Sequence, residues 1–267
     1  MRYYLGIDLG GTNIAAAVLD ESYRIVASAS KKTACPRPAE AIMDDMAETA
    51  REAAQKAGIR LEEVECIGVG CPGSVNPGTG VVQYANNLGF YGVPMGEYLS
   101  RRLGRPIRIE NDANAAAYGE FLAGAAAGSK EIHNFVAITL GTGVGGGLIL
   151  GGRIYSGGNH AGGELGHMVI QAGGRPCTCG RRGCWEAYAS ATGLIESTKE
   201  AMRANPASQL WKLAEGELGN VNGRTAFDGM RAGDETGRQV VCEYIEALAT
   251  GLTNIINIFQ PDLISLA

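Results

Sequence analysis

The chain lacks a basic excess: 23 Lys and Arg face 28 Asp and Glu, a formal charge of -5, with a pI near 5.4. A nucleic-acid surface wants a basic face, so that class of partner is excluded. It also lacks a charged-then-apolar leader. Asp8 and several glycines stand where an export signal would lie, and a cytoplasmic protein is expected. Charge blocks, heptads and low-complexity tails are absent. Residues 134–152 carry no charge, but five of the seven residues from Gly141 to Gly147 are glycine. Each glycine costs a helix about 1 kcal/mol relative to alanine. Two strands around a glycine loop are expected there, not a membrane span. No GK[ST] follows any glycine-rich turn, which excludes a Walker-type phosphate loop. The seven cysteines are odd in number, and a reducing compartment suits them better than a disulfide framework.

What is present is concentrated between Glu164 and Glu186, where His167, Cys177, Cys179 and Cys184 follow one another. Three thiolates and an imidazole complete a tetrahedral structural zinc site, with no position left for a reacting water. A redox pair would want two residues between its cysteines; Cys177 and Cys179 are separated by one. A metal-bound imidazole has one ring nitrogen left over, which a ligand hydroxyl could use. Cys35, Cys66, Cys71 and Cys242 are left as buried or idle thiols.

The length of 267 residues fits one large or two modest domains. Tyr3 onward reads as an apolar strand entering the turn Asp8-Leu9-Gly10-Gly11-Thr12, followed by strands over 14–19 and 24–29. Those glycines let backbone N–H groups approach phosphate, and Asp8 could hold hydrated magnesium, although a plain β-turn explains the motif equally well. The spacing of Ile42, Met46, Ala50, Ala53 and Ala57 predicts a helix over 39–57. A short strand is expected over 66–71, and a polar loop at Asn86-Asn87-Leu88. Residues 107–114 end a strand and enter an alanine-rich helix predicted to reach Ala127. Asp112 stands at that junction, where a helix N-cap is the plain reading. Strands are expected at 135–140 and 148–150, joined by the loop Gly141–Gly147. Two strand–glycine–strand hairpins suggest two similar halves facing one ligand. The longest helix is expected over 234–259, with a stripe of Val241, Ile245, Leu248, Leu252, Ile255 and Phe259, and Pro261 as its stop. A last strand covers 263–266.

Together these residues resemble the ROK family of sugar kinases and sugar-responsive repressors, with the bacterial glucokinase branch as the nearer likeness. The motifs are Asp8 to Thr12, Glu110 to Asn114, Leu140 to Gly147, Glu164 to His167 and the C-x-C-x4-C cluster. The resemblance implies an α/β fold of the hexokinase and actin-like ATPase type: two ribonuclease-H-like lobes, 1–117 and 118–267, with a cleft between them. It implies ATP-dependent phosphorylation of a hexose, foremost glucose at its 6-hydroxyl. Kinases of N-acetylmannosamine, allose or fructose are the alternative, as is a non-catalytic sugar sensor; polyphosphate remains open as donor. Asp112 matches the catalytic base. Asn111, Glu164, His167 and Glu186 match sugar contacts, with Gly73 and Asn87 nearby. Asp8, Gly10, Gly11, Thr12 and Asn13, and Gly141, Thr142 and Gly143, match two phosphate loops. The implied cofactors are structural Zn2+ and Mg2+ with ATP; the implied assembly is a homodimer or homotetramer. With the first strand starting at Tyr3, the helix-turn-helix of the family's repressors is not expected, and the family's glycine-rich loop and last helix are expected to fall after Ala267. The chain is therefore expected to bind sugar better than nucleotide.

Overall fold

In the computed structural model residues 2–267 are described. The elements run β1 (Tyr3–Leu9), β2 (Asn13–Leu19), β3 (Ile25–Lys32), α1 (Ala39–Lys56), β4 (Val64–Cys71), β5 (Ser74–Asn76), β6 (Val81–Ala85) and β7 (Phe90–Val93). Next come α2 (Met95–Leu103), β8 (Ile107–Asn111), α3 (Asp112–Ala123), β9 (Phe135–Leu140), β10 (Val144–Leu150) and β11 (Arg153–Ile154). The chain closes with α4 (Glu186–Ala189), α5 (Ala191–Ala204), α6 (Leu210–Leu213), α7 (Thr225–Arg231), α8 (Glu235–Phe259) and β12 (Leu263–Leu266). Asn86–Leu88, expected as loop, is a single 3-10 turn. Two compact units result: Met1–Lys130 with Gly147–Gly163, and Glu131–Gly146 with Glu164–Ala267. A boundary at 117 would cut α3, which stays whole in the first unit.

In the first unit Leu5, Ile7 and Leu9 of β1 are buried on one face, as a two-residue period requires. They meet Ile42, Met46, Ala50 and Ala53 of α1, the helical face read from spacing. The sheet order is β3-β2-β1-β4-β8. The first three strands are antiparallel, while β4 and β8 join in parallel. That is the ribonuclease-H-like arrangement. A smaller antiparallel sheet holds β5, β6 and β7.

Two boundaries differ from expectation. Helix α3 stops at Ala123 instead of Ala127, because Glu120 turns back on the chain: its carbonyl accepts from Gly124 and Ala126, and its carboxylate from Ala125 at 3.0 Å. Strand β10 begins at Val144, not Leu148, so the glycines from 145 to 147 are strand and the true loop is Gly141–Gly143. A Cβ at Gly147 would run into the Ala117 methyl and come within 2.9 Å of the Ala113 carbonyl. Glycine there lets β10 lie directly against α3.

In the second unit β12 pairs in parallel with β9, Leu263 opposite Phe135. Helix α8 buries Val240, Val241, Gly251 and Ile255, whereas Ile245 of the expected stripe is 50% exposed. The difference comes from Trp185. This fully buried indole packs on Gly251 and donates its N–H to the Ala247 carbonyl at 2.9 Å. Among the described residues no helix is long and apolar enough to cross a membrane.

Asp234 caps α8 by accepting from Gly237 N–H at 2.7 Å, and it also takes Gln209 N–H at 2.8 Å and the Ser208 hydroxyl. Desolvation opposes its charge, but these donors outweigh that and hold its pKa below the ordinary carboxylate value. Asp234→Ala is expected to cost about 1–2 kcal/mol, measured as a lower denaturation midpoint. With a lowered folded pKa, the carboxylate's contribution is present above the unfolded value and lost as pH falls through the folded one. The mutant should therefore show a shallower acid decline than wild type; parallel acid curves would refute the assignment.

Candidate active site and metal centre

Strand β8 delivers Asn111 and Asp112 to the start of α3. The cap that chain position alone would give to Asp112 belongs to Asn111, whose side chain accepts from Asn114 N–H at 3.1 Å. The Asn111 amide also donates to the Gly73 carbonyl at 3.0 Å, and Glu110 accepts its N–H at 2.9 Å. Gly73 is thus a tether for Asn111. Asp112 is the first helical residue, exposed, with one oxygen accepting the adjacent Ala113 N–H. It is left available for chemistry.

Asp8 is the next-to-last residue of β1, in the same unit. Desolvation first, and then the charge of Asp112, raise its pKa above the usual carboxylate range, even though its edge is exposed. Two neighbouring carboxylates that repel one another suit a divalent cation. The following turn closes through Gly10 N–H donating to the Asn13 carbonyl at 2.9 Å. Asn87 stands beside it, its amide 3.4 Å from where a Gly11 Cβ would be.

The second unit carries the metal candidates. The donor atoms of His167, Cys177, Cys179 and Cys184 all lie within 4.8 Å of one another. His167 Nδ1 is 3.6 Å from Cys177 Sγ, and Cys179 Sγ is 3.6 Å from Cys184 Sγ. A tetrahedron with Zn–S bonds of about 2.3 Å has edges of about 3.8 Å. The residues fit zinc. Burial, followed by the bond from Cys179, pushes the Cys184 thiol up to about 12, while the Arg181 backbone N–H lowers Cys179. Bound zinc would displace these protons and hold both sulfurs as thiolates. With Nδ1 turned to the cysteines, His167 Nε2 is the ring nitrogen left over.

Glu186 opens α4 directly after Cys184 and Trp185, and Trp185 ties the loop to α8. One Glu186 oxygen accepts Val144 N–H at 3.0 Å; the other lies 3.8 Å from Cys177 Sγ. The carboxylate occupies the space a Gly143 Cβ would need, so only glycine lets it reach the start of β10. Gly141, Thr142, Gly143, Glu186 and the metal cluster are brought together. Glu164 precedes the 3-10 turn Leu165–His167 and is exposed. Sequence reasoning missed Trp185, Glu110 and the Val144 tether. A tryptophan flanked by a ligand cysteine and a glutamate was the available sign of an anchor.

Residues 4–267 match the ROK family, and the chain belongs to it. Its ribonuclease-H-like sheet order is that of the actin-like ATPase fold of ROK sugar kinases. Glucokinase of Thermotoga maritima is 34% identical over 261 residues, covering 97% of this chain and 80% of that protein. The crystal structure of a Streptomyces griseus ROK family glucokinase, in complex with glucose and AMPPNP, is 33% identical with a TM-score of 0.76. It covers 99% of this chain and 82% of that one. The ROK hexokinase of Thermus thermophilus is 33% identical with a TM-score of 0.79, over 99% and 81% of the two chains.

Proposed function

We propose that the chain phosphorylates a hexose with ATP, and that the hexose is glucose, accepting phosphate at its 6-hydroxyl. The observation that carries the reading is Asp112: Asn111 caps α3, so this exposed carboxylate has no structural duty beyond one local hydrogen bond. A sugar sensor needs sugar contacts but no base, and the glucokinase and hexokinase relatives support the catalytic reading.

Phosphoryl transfer needs positioning, charge neutralisation and a base for the attacking hydroxyl. Asp112 accepts that proton. Asn111, Glu164, Glu186 and His167 Nε2 orient the sugar, the two carboxylates accepting from its hydroxyl donors. Gly10 to Asn13 and Gly141 to Gly143 present backbone donors to phosphate. Magnesium carried with ATP neutralises phosphate charge when bound, and Asp8 is the carboxylate to hold it. His167, Cys177, Cys179 and Cys184 would hold zinc, which would supply rigidity and no chemistry.

The test is an assay of sugar-dependent ADP release across a panel of hexoses and N-acetylhexosamines, with ATP and polyphosphate as donors. Turnover highest with glucose and ATP is expected. Sugar binding without turnover on any member would replace the kinase with a sensor.

A further inference from the structure

Thr33 follows β3 and is fully buried, yet it is tied to the glycine turn after β1. Its hydroxyl donates to the Gly10 carbonyl at 2.6 Å, and its backbone N–H donates to the Thr12 carbonyl at 2.9 Å. A trans peptide is planar, with its C=O and N–H pointing in opposite directions. Fixing the Gly10 carbonyl therefore aims the Gly11 N–H away from Thr33, and fixing the Thr12 carbonyl aims the Asn13 N–H likewise. We propose that Thr33 is a positioning residue for ATP, holding these two peptides with their N–H groups toward the phosphates. The proposal rests on the kinase reading above.

The Gly10–Gly11 peptide has most need of such a hold. It lies between two glycines, so it can flip with little steric resistance. Flipped, it would turn a carbonyl oxygen toward an anion in place of a donor. The Thr33 hydroxyl is the contact that prevents this. Thr33 is held in its turn: Arg37 Nε donates to its carbonyl at 2.8 Å. The Arg37 guanidinium pairs with Asp45 of α1, which also pairs with Lys31 of β3. The orientation of the turn is thereby referred back to the core helix of its own unit.

Thr33→Val keeps the shape and the backbone N–H but removes the hydroxyl; Thr33→Ser keeps the hydroxyl. Calorimetry with magnesium and AMPPNP, beside KM values for ATP and glucose, reads the effect. Thr33→Val is expected to weaken AMPPNP and raise the ATP KM by about five- to tenfold, the scale of one hydrogen bond. The glucose KM should not move, and Thr33→Ser should recover most of the loss. A Thr33→Val protein that melts lower but binds AMPPNP like wild type, or one that loses glucose and nucleotide alike, overturns the proposal. If Thr33→Val yields too little folded protein, Arg37→Gln serves instead: weaker AMPPNP with unchanged glucose supports the role, and no change overturns it. The kinase reading is judged separately. Wild type that binds AMPPNP but phosphorylates no hexose removes that reading and leaves the calorimetric comparison standing; wild type that does not bind AMPPNP removes both.

Discussion

Asp112→Asn is expected to lower kcat by about 100-fold or more, the usual scale for loss of a general base. The glucose dissociation constant should stay within a few-fold. The separation follows from what each atom does. An asparagine at 112 keeps an oxygen to accept the Ala113 N–H, and the cap of α3 is made by Asn111, so the helix start should survive. What is lost is the ability to take a proton from the attacking hydroxyl. The control is Asn111→Ala, which removes both the cap and the tether to Gly73 and should lower stability, not the chemical step alone. Near-wild-type turnover by Asp112→Asn, with folding confirmed, would remove Asp112 from the mechanism. Neutralising position 112 also lifts one of the two causes that raise the Asp8 pKa. The variant's Asp8 should therefore titrate lower than wild type, which carboxyl chemical shifts can follow.

The elements that were legible before the structure are those with a regular period. Leu5, Ile7 and Leu9 alternate, and Ile42, Met46 and Ala50 repeat at helical spacing; both sets are buried as their patterns require. Short-range chemistry was legible too, because four metal donors close together in the chain can meet with little help from the fold. Features that depend on a distant partner were not. Gly145 to Gly147 read as loop; a Cβ at Gly145 would meet the Thr139 hydroxyl and one at Gly147 the Ala117 methyl of α3, neither visible from the local sequence. Ile245 fits a helical stripe, and only the placement of Trp185 shows that the buried face of α8 is turned toward Val240, Val241 and Gly251. The cap at α3 is a one-residue matter between Asn111 and Asp112, finer than composition or period can resolve. Thr33 carries no local signature at all, since its partners Gly10 and Thr12 are more than twenty residues away.

Loss of the proposed zinc is the other change with a large expected effect. Purified protein should carry about one zinc per chain. Cys179→Ala should reduce metal content and raise the glucose KM by about tenfold or more, the upper part of the range a mispaired hydroxyl or two implies. Two neighbours of the cluster carry the effect. His167 is oriented by whatever its Nδ1 binds, so freeing Nδ1 lets the ring turn and takes Nε2 away from a sugar hydroxyl. Glu186 lies against Cys177 on one side and accepts Val144 N–H on the other, so a loosened Cys177 also loosens, at the glycine loop, the carboxylate proposed to orient the sugar. Trp185, buried on α8, should keep the loop's far end docked even then. The loss should therefore appear in sugar affinity before global stability. Chelation of wild type should reproduce the effect, and zinc should reverse it in wild type but not in Cys179→Ala. Metal-free protein that binds glucose as tightly as the zinc form would show that the cluster neither aims His167 nor steadies Glu186.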